Sequence, residues 1–161
     1  MKYVNAISTE QQFRLFADRI VSTNHKIGFG TDKEFRDQLD VISRHWTPEK
    51  FHFDLGCGDC ELAGPSAGLA ILFLIDSIIY DYTIDDKYVF SGIILDDSTF
   101  EEPGDIPDKL PYLLPGQFLI VGDSSCQFRG GVFGLENQII RGDLPHLLEY
   151  FRVRETLISV H

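Results

Sequence analysis

With 161 residues, 14 of them basic and 25 acidic for a net charge of -11, the chain has length for one hydrophobic core and too little for two ordinary domains, so a single unit over 1–161 is expected. That charge repels nucleic-acid phosphates and anionic membranes, which are held through clustered Lys and Arg, and it excludes both as expected partners. An apolar fraction of 43% argues against disorder, and no basic segment leads into an apolar N-terminal stretch, which makes the cytoplasm the expected compartment.

Tyr3 to Ile7 reads as a first strand. Ser8 to Ser22 is ambiguous: Thr9 with Gln12 resembles a capping box, whereas Phe13, Leu15 and Ala17 alternate as in a strand, which is the preferred reading. Thr23 to Lys26 forms a turn before a second arm, Ile27 to Gly30. Asp32 caps a helix whose apolar positions Phe35, Leu39, Ile42 and Trp46 recur at helical spacing, until Thr47-Pro48 ends it. Phe51 to Leu55 alternates with period two, a half-buried strand with His52 and Asp54 on one side.

The Cys57-Gly58-Asp59-Cys60 pair that follows suggests zinc, with His52 or Asp54 as further ligands. A structural zinc site takes four ligands and no second pair exists, so no metal is expected; three cysteines in all do not make a disulfide framework either. Next comes Ala63-Gly64-Pro65-Ser66-Ala67-Gly68-Leu69-Ala70, which opens a helix from Pro65 to about Tyr80 that is apolar nearly all round and belongs at the centre of the fold. Pro65 reads as the first helical position and Ser66 as the second, beside unpaired N–H groups at the positive end of the helix dipole. Such a position suits an oxygen nucleophile, and equally a serine that merely tolerates a helix start.

Tyr88 to Leu95 is a buried strand with Gly92 as a bulge or a close backbone approach. Asp96 to Asp108 is an acidic loop, Pro107 to Leu110 a short helix or turn, Gln117 to Val121 a strand and Gly122 to Ser125 a loop. Val132 to Ile140 holds one more short strand or a loop, and Asp143 opens a terminal helix through Phe151. The expected class is α/β or α+β, one sheet with helices packed on it.

Gly64-Pro65-Ser66-Ala67-Gly68 resembles the signature around the nucleophile of the Lon-type serine peptidases, and three more landmarks are in register. Lys109 lies at the family's offset from the serine to its lysine partner. Phe90-Ser91-Gly92 stands where the family has Thr-Gly on a buried strand, and His52 to Leu55 occupies its His-rich strand with Asp54 in place of the second His. The resemblance implies the Lon proteolytic-domain fold, ribosomal protein S5 domain 2-like, a mixed sheet with helices packed around a buried central helix. It implies a Ser66–Lys109 dyad, Ser91 orienting the lysine amine, and the backbone N–H groups of Ala63 and Ser66 as oxyanion hole. Gly64 and Gly68 would serve close approach, of substrate to the loop and of helix to sheet. A hydroxyl is a poor nucleophile until a base takes its proton, and an amine serves as that base only when neutral. Lys109, with Ile106, Pro107, Leu110 and Pro111 around it, is expected to face an apolar helix start; on the residues alone it also reads as a surface lysine.

The chain departs from the pattern at Leu62-Ala63, where the family carries polar residues, and at Pro111 and Pro115. No GxxxxGK[ST] motif is present, so the expected activity is ATP-independent cleavage of unfolded, extended or partner-presented polypeptides, without a cofactor and in a chain that resembles ring-forming relatives and so is a candidate homo-oligomer. The alternatives are a degenerate Lon-like domain serving as scaffold or assembly module and, behind it, a loop at 63–70 that cradles phosphate or nucleotide.

Overall fold

Apolar residues alternating through the first twenty positions produce a hairpin rather than a helix. In the computed structural model, which describes residues 2–20, 26–27, 33–45, 52–56, 64–95, 99–124, 133–136 and 138–159, β1 (Lys2–Ile7) runs antiparallel to β2 (Gln12–Ile20), Val4 opposite Leu15 and Ala6 opposite Phe13. Ser8 closes the turn by accepting the N–H groups of Glu10 and Gln11 at 3.1 Å. Further strands are β3 (Lys26–Ile27), β4 (His52–Gly56), β5 (Tyr88–Ser91), β8 (Phe118–Gly122), β9 (Phe133–Glu136) and β10 (Ile139–Gly142). They form one mixed sheet in the order β3-β4-β2-β1-β5-β8-β10-β9, with β1, β5, β8 and β10 parallel at its centre. A separate hairpin pairs β6 (Ile93–Ile94) with β7 (Phe100–Glu101).

Helix α1 (Lys33–His45) packs on α2 (Gly68–Ile79), which lies against β1, β2 and β5 and is buried from Gly68 to Ser77. Alternation along the strands sorts the two faces of the sheet. Tyr88, Phe90, Ile120 and Ile140 join α2 in the main core, where Phe73 stacks on Phe90 at 5.1 Å and meets Phe151 of α4 (Leu144–Ser159) edge-on at 5.0 Å. Val89, Leu119, Val121 and Ile139 face the other way and are covered by Ile106 of the single-turn helix α3 (Ile106–Lys109), with a 3-10 turn at Leu110–Tyr112 behind it.

Several elements differ from expectation. The run Tyr88 to Leu95 splits at Gly92, its first half entering the large sheet and its second the hairpin, because Gly92 turns its backbone bonds to the start of α2. The acidic loop contains β7, and two strands, β9 and β10, stand where one was expected. Cys57, Cys60, Ala63 and Cys126 lie outside the described residues, and the side chains of His52 and Asp54 are likewise not described. Among the described residues no helix is long and apolar enough to cross a membrane.

Helix α2 carries a buried carboxylate near its end. Asp76 accepts the Tyr82 hydroxyl at 2.5 Å and the Arg152 guanidinium of α4 at both oxygens, Nε at 2.9 Å, and this bond raises Arg152 above its ordinary pKa. The two partners are unequal, since Asp76 is 5% exposed and Arg152 31%. Arg152→Ala strands a buried charge and is expected to cost about 3–4 kcal/mol, whereas Asp76→Ala leaves a guanidinium that water can reach and costs about 2 kcal/mol. Urea midpoints at unchanged m-value check that order.

Candidate functional site

Ser66 sits in a tight turn rather than in the helix. The sequence placed it at the second helical position, but α2 begins at Gly68, with Ala67 at its N-cap and the first α-helical bond running from the Ile71 N–H to the Ala67 carbonyl at 3.0 Å. The reason is a competing tertiary bond. The Gly92 N–H donates to the Ser66 carbonyl at 2.9 Å, so that carbonyl turns to the end of β5 instead of to the helix, while the Gly92 carbonyl accepts the Leu69 N–H at 3.1 Å. A Cβ on Gly92 would stand 3.0 Å from Leu69 Cβ, tighter than an ordinary contact, so the close approach favours glycine. Gly64 precedes the turn at φ +79°, a left-handed conformation that side chains disfavour. Among the described residues the Ser66 N–H has no hydrogen-bond partner.

Lys109 ends α3 on the other face of the sheet and is 1% exposed. Its Nζ donates to Ser91 Oγ at 3.0 Å. Ser91 is the last residue of β5, fully buried, and shares the Val89 face, so strand alternation points its hydroxyl at α3. The amine also lies 2.9 Å from Asp105 Oδ1, which contradicts the expected apolar surround: one turn before Lys109 the chain supplies a carboxylate at i,i+4 spacing. That oxygen is buried and the contact lacks hydrogen-bond alignment, so it is ionic in character. Neither of the amine's contacts is Ser66.

Ser66 and Lys109 nevertheless line one cleft of about 480 Å³. Its lining includes the segment Gly64 to Ser66, Ser8 and Thr9 after β1, Ile93 of β6, and Pro103 to Asp105 ahead of α3. The cleft thus opens beyond the carboxyl ends of β1 and β5, where open parallel sheets have their natural crevice, and its volume falls in the range of ligand sites. A hydroxyl at a turn whose N–H has no partner among the described residues, with a buried lysine lining the same cleft, can support nucleophilic chemistry at a carbonyl. Ala63, the second expected oxyanion donor, lies outside the described residues, as does the CxxC pair; among the described residues no three His, Cys, Asp or Glu side chains gather as metal ligands.

The sequence reading missed Asp105, for which the i,i+4 spacing to Lys109 was the available signal, and it missed Ser8 and Thr9, which carry none. It also misplaced the role of Gly68, which makes room for α1 rather than for the sheet: a Cβ there would fall 1.8 Å from Gln38 Oε1. Gln38 is buried and grips both backbone groups of Ile94, its Nε2 donating to the carbonyl and its Oε1 accepting the N–H, each at 2.8 Å. That grip fixes the β6 wall of the cleft. Scanned against protein-family models the chain matches none, and no curated protein matches it in sequence.

Gln38→Ala leaves two buried backbone groups of Ile94 unpaired and is expected to destabilise by about 2–4 kcal/mol. Gly68→Ala expels the same side chain and is expected to cost a similar amount. In the double variant the second substitution adds little, so the double-mutant cycle returns a coupling of about 2 kcal/mol or more.

Proposed function

We propose that the chain is a Lon-like serine peptidase, of the ribosomal protein S5 domain 2-like fold, in which Ser66 is the nucleophile and Lys109 its base. The observation that carries this reading is the buried Lys109, its amine hydrogen-bonded to Ser91, lining the same cleft as Ser66. Lysines are rarely buried, and one buried beside a serine-lined cleft has a use as a base.

In the proposed reaction the neutral Lys109 amine takes the Ser66 proton as Oγ bonds to the scissile carbonyl carbon. The Ser66 N–H faces the developing oxyanion. Collapse breaks the C–N bond, the proton on Lys109 passes to the leaving amine, and an acyl-serine remains. Water then attacks that ester, gives its proton to Lys109, and the proton returns to Ser66 as the carboxylic product leaves. Ser91 holds the amine in place for both transfers. Substrates are unfolded or extended polypeptides, which can lie across an open cleft.

A second reading, a degenerate domain kept as a scaffold, draws on the Asp105 contact, since an amine paired with a carboxylate is not a base. Ser66→Ala and Lys109→Met separate the two. The peptidase reading expects cleavage of an unfolded fluorogenic protein, and labelling of Ser66 by a serine-reactive probe, to fall by about 10³-fold or more in variants that still melt cooperatively. Ser91→Ala is expected to retain activity reduced by about 10-fold to 100-fold, the loss of an orienting bond rather than of a reacting group. An unchanged rate in Ser66→Ala sinks the reading.

A further inference from the structure

Asp105 is the group in the cleft that the proposed chemistry does not use. It occupies the N-cap position of α3, where a carboxylate ordinarily accepts a free helix N–H, yet its side chain makes no such bond. One oxygen is buried 2.9 Å from Lys109 Nζ without hydrogen-bond alignment, and the side chain as a whole is 41% exposed and lines the cleft. The carboxylate therefore touches the buried amine on one side and the space a polypeptide would fill on the other. Among the described residues, Asp105 and Lys109 are the two ionisable groups lining that cleft.

If the chain is a peptidase, as proposed above, this arrangement sets a condition on its chemistry. A carboxylate at that distance stabilises an ammonium, and an ammonium cannot accept the Ser66 proton. For chemistry to start, another cation must take Asp105. We infer, resting on the peptidase reading, that the substrate supplies it: Asp105 recognises a Lys or Arg side chain close to the scissile bond, and pairing with it releases Lys109 toward Ser66. Lys109, released from Asp105, passes one proton to water in the cleft and is then the neutral amine the proposed reaction uses. Recognition and activation are then one exchange of ion pairs, and the substrate class is basic, extended polypeptide. The net charge of -11 acts in the same direction, raising the encounter rate of cationic chains.

The test uses fluorogenic peptides that carry either arginine or its neutral isostere citrulline at one position, scanned across the residues flanking the scissile bond. Wild type is expected to favour arginine by about 10-fold to 100-fold in kcat/KM at one position, and less at high salt. Asp105→Asn is expected to cleave the two peptides at similar rates and to cleave the citrulline peptide faster than wild type does. Equal rates for both peptides at every position in wild type overturn the inference, and so does an arginine preference that survives in Asp105→Asn. If the variant fails to fold, the wild-type arginine-to-citrulline ratio at low and high salt decides alone. A Ser66→Ala protein as active as wild type, or a wild type that cleaves none of the peptides, overturns the peptidase reading and this inference with it; a wild type that cleaves but ignores the charge overturns only the inference.

Discussion

The backbone at Ser66 is set by one residue, Gly92. Gly92 donates its N–H to the Ser66 carbonyl and accepts the Leu69 N–H, so the end of β5 and the start of α2 are joined by two backbone bonds across an interface where a side chain would crowd Leu69. An α-helix leaves its first N–H groups without partners, and here a strand end satisfies one of them while drawing the Ser66 carbonyl out of helical register. The turn is therefore set by tertiary bonding rather than by helix propensity. The same glycine ends β5 in the large sheet and directs the chain into the hairpin whose Ile93 walls the cleft.

Strand alternation does the rest of the positioning. Tyr88 and Phe90 face α2, Val89 and Ser91 face α3, and so a hydroxyl at the last position of β5 meets whatever α3 presents. Helix α3 is one turn long, held down by Ile106 in the second core, and presents Lys109. The Ser66 turn and Lys109 thus approach the cleft from opposite faces of one sheet, linked through adjacent residues, Gly92 and Ser91. A buried strand end lies between them, which is a firmer support than a loop would be.

Much of this was legible in the chain. The strand reading of Phe13, Leu15 and Ala17, the amphipathic α1, the buried α2 and the close approach at Gly92 follow from periodicity and from residue size, which are local properties. What was not legible is tertiary in origin. The true start of α2 depends on a bond from Gly92, far downstream in sequence; the role of Gly68 depends on Gln38 from α1; and β10 escaped because its four residues, Ile139 to Gly142, include Arg141, whose guanidinium is held by Glu102 rather than exposed by alternation. Ser66, Ser91 and Lys109 were singled out by a resemblance to a family signature, and spacing alone could not say that the lysine would carry a carboxylate beside it.

The buried lysine also bears on the choice between enzyme and scaffold. Taking an ammonium and a carboxylate out of water costs several kcal/mol per ion, and their attraction offsets this only with good geometry and further hydrogen bonds. Lys109 has one hydroxyl partner and one poorly aligned carboxylate, an arrangement that an apolar side chain of similar volume would equal or better for stability alone. Asp76 makes the contrast within the same molecule: its carboxylate is gripped by Arg152 at both oxygens and by Tyr82, as a structural ion pair should be. A loosely satisfied lysine beside a cleft adds little to stability, which favours the proposed peptidase over the scaffold.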